Sequence, residues 1–207
     1  MNTFFFDHIT NIIGKLTAFG VAYYGYKKYA EQRRLKKNPM YKATDGILEI
    51  NAVITKLEKG IKSTKSICTL AELSNGGGVP KLDKPLYIRA LNSTNIQSIN
   101  LWGERVLCIL PVIKAIHEMY LNRFGSLLIS DYNMTNVETW ANANNINKVF
   151  YYFIGGDGTK RSLVLAVNTA TTNDVSIEEK LKIYEACSEI KRIINAERKW
   201  FWQTKLE

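Results

Sequence analysis

Histidine and cysteine are scarce in this 207-residue chain: two of the first and three of the second. Cys68, Cys108 and Cys187 are isolated from one another, with no C-x-x-C and no Cys/His cluster. That spacing argues against a zinc site. It reads instead as three small buried side chains in a reducing compartment. His8 lies in an N-terminal extension and His117 stands alone, so a Ser-His or Cys-His nucleophile has no support. His117 reads as a helix-surface or half-buried side chain. No G-x-x-x-x-G-K-[ST] occurs, and no G-x-G-x-x-G stands between a strand and a helix. The glycine-rich stretch Ser74–Pro80 is therefore a flexible turn or a pocket rim. Carboxylates paired for acid–base work are missing too. Glu178 and Glu179 fall at a helix N-terminus, where the macrodipole accounts for them. No catalytic residue and no metal ligand can be nominated, and any cofactor is unknown.

Charge of one sign is in excess, but locally. The net charge is +9. Most of it sits in Tyr26–Lys42, where Lys27, Lys28, Arg33, Arg34, Lys36, Lys37 and Lys42 face only Glu31. One basic segment on a nearly balanced remainder is not a global nucleic-acid surface, and no nucleic-acid partner is expected. Before it runs Ile9–Tyr26, whose single charge is Lys15. Ile9, Ile12, Ile13, Leu16, Phe19, Val21 and Tyr23 give it the apolar surface of a membrane anchor. Its length only just crosses a hydrocarbon core of roughly 30 Å. There is no basic n-region and no A-x-A site, so it is not read as a cleaved signal peptide. Tyr23, Tyr24, Tyr26 and Tyr29 mark the interface as an aromatic belt does, and the basic flank keeps the C-terminal domain in the cytoplasm. The expectation is a single-pass inner-membrane protein: residues 1–46 are anchor, basic juxtamembrane segment and linker, and 47–207 are the folded domain. An in-plane helix on anionic headgroups is the alternative.

Asn38-Pro39 is read as the end of the basic helix, and Tyr41–Gly46 as a linker. Ile47, Ile50, Ile54, Leu57 and Ile61 are spaced +3, +4, +3, +4, which predicts a helix. That seam either packs on its own domain or pairs with a second copy as a homodimer. Ser66–Leu73 is a strand or a continuation of the helix. Pro85–Leu91 alternates as a strand, and Asn92–Asn100 reads as a polar loop. Leu101–Phe124 is helical but interrupted at Pro111. Ser126–Asp131 is a strand. Asn136–Asn145 is a short helix with Thr135 as its N-cap. Ser176–Trp200 closes the chain as a helix opened by a Ser176/Glu179 capping box. Trp200-Phe201-Trp202 ends it as an aromatic cluster.

Two apolar runs, Lys148–Ile154 and Ser162–Asn168, flank Gly155-Gly156-Asp157-Gly158-Thr159. This is a hairpin pattern. The GGDGT string also matches nucleotide and lipid kinases, where the Asp activates a hydroxyl or orients phosphate. A helix follows the motif there, whereas a strand-like run follows it here. Positive φ at a tight turn accounts for the glycines without a phosphate.

From Ile47 the element order is α, β, β, broken α, β, α, β, β, α. With Asn75-Gly76-Gly77 after the first strand, the strand through Tyr87 and the Gly-Asp-Gly hairpin, the chain resembles a GAF-type, PAS-related sensor domain over roughly residues 47–200. The resemblance implies an α+β fold: a central antiparallel sheet of about five strands flanked by helices, with helices on one face and a small-molecule pocket on the other. A long N-terminal helix precedes it. The reading it supports is binding of a small molecule or a protein partner without catalysis, with Asn75, Tyr87, Trp102, Tyr151 and Phe153 as the pocket candidates. The Asn-Lys-x-x-Phe-Asp-Glu run of cyclic-nucleotide-binding members is missing, so no ligand is carried over. The expected partners are the membrane, a small molecule and a second copy of the chain. A holin-like membrane-remodelling protein is the runner-up, and a kinase acting through Asp157 stands behind it.

Overall fold

A computed structural model describes residues 17, 20–31, 33, 39–75, 85–104, 106–156 and 161–201. Its contacts divide into two units, Met1–Asp45 and Gly46–Glu207. In the first, residues 20–31 are helical, and Val21, Tyr23, Tyr24, Tyr26 and Tyr29 are exposed. Ile9, Ile12, Ile13, Leu16 and Phe19 lie outside the described residues. Among those described, no helix is long and apolar enough to cross a membrane.

The second unit is α+β, with one antiparallel sheet flanked by helices. Its strands are β1 (Ser66–Ser74), β2 (Tyr87–Ser93), β3 (Val106–Leu107), β4 (Phe124–Leu128), β5 (Lys148–Gly156) and β6 (Arg161–Thr169). They lie in the order β3-β2-β1-β6-β5-β4. The helices are α1 (Pro39–Gly60), α2 (Ile96–Trp102), α3 (Leu110–Asn122), α4 (Thr135–Asn144) and α5 (Ile177–Phe201), with a 3-10 turn at Ile129–Tyr132. The middle of the sheet joins residues far apart in sequence. β1 pairs with β6 over its whole length, from Ser66 opposite Thr169 to Ser74 opposite Arg161. The hairpin strands β5 and β6 pair in turn, with a bulge between Phe153 and Gly155.

Four expectations are corrected. The sheet has six strands rather than five: Val106–Leu107, read as helix, pairs with Tyr87–Ile88. Two residues are too few to show an alternation. Ile96–Trp102 is helix rather than polar loop, and Asn95 caps it by accepting a hydrogen bond from Ser98 N at 2.9 Å. α1 begins at Pro39 and runs through the expected linker. Proline is tolerated there because a first-turn N–H has no intrahelical acceptor to lose. The N-cap of α4 is Met134, not Thr135.

Both faces of the sheet are covered. Side chains alternate along each strand. Ile67, Ala71, Val164, Ala166, Val149 and Tyr151 join Val112, Ala115, Ile116 and Met119 of α3 and Val137 and Trp140 of α4 in one core. Cys68, Leu70, Leu165, Val167, Phe150 and Tyr152 join Ile54 of α1 and Ile183, Cys187 and Ile190 of α5 in another. All three cysteines are buried and unpaired. Ile50, Ile54, Leu57 and Ile61, read as a dimer seam, are spent in this second core; Ile47 is 47% exposed. On the other face α3 rides backbone to backbone on β4. A Cβ on Gly125 would stand 1.9 Å from the Ala115 carbonyl oxygen.

Glu179 fastens α5 to the end of α1. Ser176 and Glu179 form the expected capping box: Glu179 N donates to Ser176 Oγ at 3.2 Å, and Ser176 N donates to Glu179 Oε2 at 3.1 Å. The same carboxylate accepts from Lys62 N and Ser63 N, each at 2.9 Å, and from Ser63 Oγ at 2.7 Å. Burial alone would raise its pKa; the hydrogen bonds from Ser63 and Ser176 outweigh that and bring it to about 2. A depressed carboxylate contributes stability that is complete above its unfolded pKa and lost as pH falls through the folded one. We expect stability to fall between about pH 4.5 and 2. Glu179→Gln should cost about 2 kcal/mol at neutral pH and flatten the curve in that window. Urea unfolding across pH checks both effects.

Candidate functional site

Between the sheet and the helices on the α3 side lies a cavity of about 30 Å³. Its floor comes from four adjacent strands: Thr69 and Ala71 of β1, Ile88 and Ala90 of β2, Ala166 and Asn168 of β6, and Val149 and Tyr151 of β5. Its roof is Trp102, the last residue of α2, and Tyr132, the last of the 3-10 turn. The opening exists because of small residues. Ala71 and Ala90 are register partners, and Ala166 pairs with Thr69. Larger residues at these places would close the space. A cavity of this size holds about two water molecules.

The roof is positioned from both ends. Asn95 Nδ2 donates to Asn144 Oδ1 at 3.1 Å, and Asn144 Nδ2 donates to Gln97 Oε1 at 2.9 Å, which fixes the start of α2 against α4. Trp102, half-buried at the other end of α2, leans on Tyr132 with ring centroids 5.9 Å apart. The Tyr132 and Tyr151 hydroxyls are hydrogen-bonded to each other. Burial raises the pKa of both phenols, and also that of the Cys108 thiol, pushed up to about 12. All three stay neutral at physiological pH, so the site presents neutral polar groups rather than a nucleophile.

Of the pocket candidates read from sequence, Trp102 and Tyr151 line the cavity. Phe153 shares the face of Tyr151 but packs at a tilt against Tyr120, with ring centroids 5.4 Å apart, and lies under Arg123 at 5.7 Å. Tyr87 is register partner to Ser74 and alternates with Ile88, so it points to the opposite face, as does the Glu72–Arg89 pair at 2.8 Å. Asn75 is buried just past β1 and is not a lining residue. Thr69, Asn168 and Tyr132 were missed. The period-2 pattern of the strands marks the first two as facing the same way as Ala71 and Ala166. Nothing local marks Tyr132.

Asp157 lies outside the described residues, but β6 follows the glycine turn where a kinase would carry a helix. His117 is exposed on α3. Among the described residues no group of three or more His, Cys, Asp or Glu side chains is placed to hold a metal ion.

No protein-family model matches the sequence, and no curated protein matches it. Solved structures with a similar backbone course include a GAF domain/HD domain protein from Geobacter sulfurreducens. It is 12% identical, with a TM-score of 0.47, over 74% of this chain and 96% of that one. The GAF domain of the Acinetobacter phosphoenolpyruvate-protein phosphotransferase is 12% identical, with a TM-score of 0.47, over 82% and 95%. A far-red cyanobacteriochrome photoreceptor is 12% identical, with a TM-score of 0.49, over 83% and 93%.

Alkaline titration tests the neutrality of the site. A phenol whose folded pKa is raised contributes stability that is intact below its unfolded pKa, 10.0, and is lost as pH rises toward the folded value. The part of the 295 nm phenolate absorbance that belongs to Tyr132 and Tyr151 should therefore appear only with alkaline unfolding. Substituting both by Phe should leave the low-pH side of that titration unchanged.

Proposed function

We propose that residues 47–207 form a GAF-like module that binds a small molecule in the cavity beneath Trp102 and transmits its occupancy without catalysing a reaction. The observation that carries this reading is the cavity itself. It is set on the sheet by three alanines and bordered by four polar side chains, Thr69, Tyr132, Tyr151 and Asn168, each at least nine-tenths buried. Each of these polar groups costs free energy to desolvate, and a ligand with matching groups would offset that cost. Ligand binding would favour the arrangement of α2 and the 3-10 turn that admits the ligand, and so shift the population of helix packings.

The test is a panel of small ring compounds measured by thermal shift and by protein NMR. Binding should perturb the Trp102 indole N–H signal. Ala166→Val, which adds two methyl groups to the floor, should abolish binding while costing about 1–3 kcal/mol of stability. A panel that raises Tm equally in wild type and Ala166→Val would mean the ligands act elsewhere.

We further propose that the Ile9–Tyr26 run and its basic flank tether this module to the cytoplasmic face of a membrane. The support is the sequence pattern alone. Full-length protein should sediment with membranes after lysis and resist extraction by high salt. Recovery of the full-length chain in the soluble fraction would overturn the tether and leave the ligand-binding reading untouched.

A further inference from the structure

The hydrogen-bond accounting inside the cavity is incomplete in a way that names a class of ligand; this rests on the ligand-binding reading above. Two phenol hydroxyls that share one hydrogen bond use one proton between them. Whichever of Tyr132 and Tyr151 donates, the proton of the other finds no acceptor among the described residues. Both side chains are almost fully buried, at 3% and 2% exposure. A buried donor without a protein partner must be met by what occupies the cavity. Across the floor the balance is reversed. Thr69 Oγ1 donates to Ser93 Oγ at 3.1 Å, and Asn168 Nδ2 donates to the Ile67 carbonyl at 2.9 Å. No donor among the described residues reaches Thr69 Oγ1 or Asn168 Oδ1, which remain as acceptors. The cavity thus borders one free donor and two free acceptors.

Charge narrows the class. Among the described residues no Lys, Arg, Asp, Glu or His lines the cavity. An ionic ligand would lose its hydration here with no countercharge to replace it. We propose that the site selects a compact, uncharged, planar ring that carries a carbonyl beside an N–H, the edge of a lactam or cyclic amide. Its carbonyl accepts the free tyrosine proton. Its N–H donates to Asn168 Oδ1 or Thr69 Oγ1. The alanine floor offers a flat surface to one side of the ring. Since the cavity as it stands takes about two waters, the ring is admitted with displacement of the half-buried Trp102.

The experiment uses the full chain and three probes: 2-pyridone for the neutral lactam edge, benzoate for charge, and toluene for apolar filling. Each is titrated by NMR on the Trp102 indole and the cavity methyl signals. The expected result is 2-pyridone binding at least about tenfold tighter than the other two. Tyr132→Phe/Tyr151→Phe together should lose that tenfold preference with Tm kept or raised, since removing both partners of a buried pair is close to neutral. Either single Phe variant should keep it, because the surviving hydroxyl then has its whole proton to offer. Loss of 2-pyridone binding in a single variant that is folded would overturn the assignment. Benzoate or toluene binding as tightly as 2-pyridone at these signals would overturn the ligand class and leave the pocket standing. No response to any of the three would remove both.

Discussion

The pairing of β1 with β6 is the constraint on which the rest depends. It brings a strand that follows α1 against the strand that precedes α5. Two helices near opposite ends of the folded unit thereby reach one face of the sheet. The connections made between those strands must then supply the other face, and they do so with α2, α3, α4 and the 3-10 turn. Glu179 secures the arrangement at one point, where a carboxylate on α5 gathers backbone and hydroxyl donors from the segment after α1. Cys68 shows how finely the middle strand is served. Beyond the last β1–β2 pair its N–H donates to Glu58 at 2.7 Å and its carbonyl accepts from Ser93 Oγ at 3.0 Å. A strand end short of a ladder partner is completed by side chains, as a buried backbone group must be.

Alternation across that sheet sends neighbouring residues into different cores. Tyr151 looks into the cavity, while its neighbours Phe150 and Tyr152 are sealed against α1 and α5. Tyr152 packs edge-on against Tyr184 of α5 with centroids 5.5 Å apart. The backbone between these residues is shared. A shift of β5 on the cavity side is therefore felt by the helix pair behind it. Interiors this dense do not absorb such a shift locally.

Much of the architecture was legible because it is periodic. The two hairpin strands, the helix through Ile54 and Leu57, and the capped start of α5 all carry patterns several residues long. Loss of legibility tracks loss of length. β3 has two residues and α2 seven, too few for a period to assert itself over their polar neighbours. Pro39 was read as a stop because proline breaks a helix everywhere except at its beginning. The cavity was legible in its large residues, Trp102 and Tyr151, and illegible in its small ones. An alanine such as Ala71 makes space only by virtue of the residue opposite it, and that is a property of the register rather than of the residue. The face of Tyr87 is likewise a matter of register, set where it lies opposite Ser74. Ile50, Ile54, Leu57 and Ile61 show the converse, for a heptad spacing identifies an apolar stripe but not whether its cover lies in the same chain.

The close seating of α3 on Gly125 also fixes where that helix lies on the sheet. With the Ala115 carbonyl resting where a side chain would be, α3 has no slack to slide or roll over β4. α2 has no such seat. It is moored at its N-terminal end through Asn95 and Asn144, and it ends at Trp102. The helices on this face are therefore held by unlike means, one by backbone contact against a strand and the other by amide side chains at its start and an indole packed at its end.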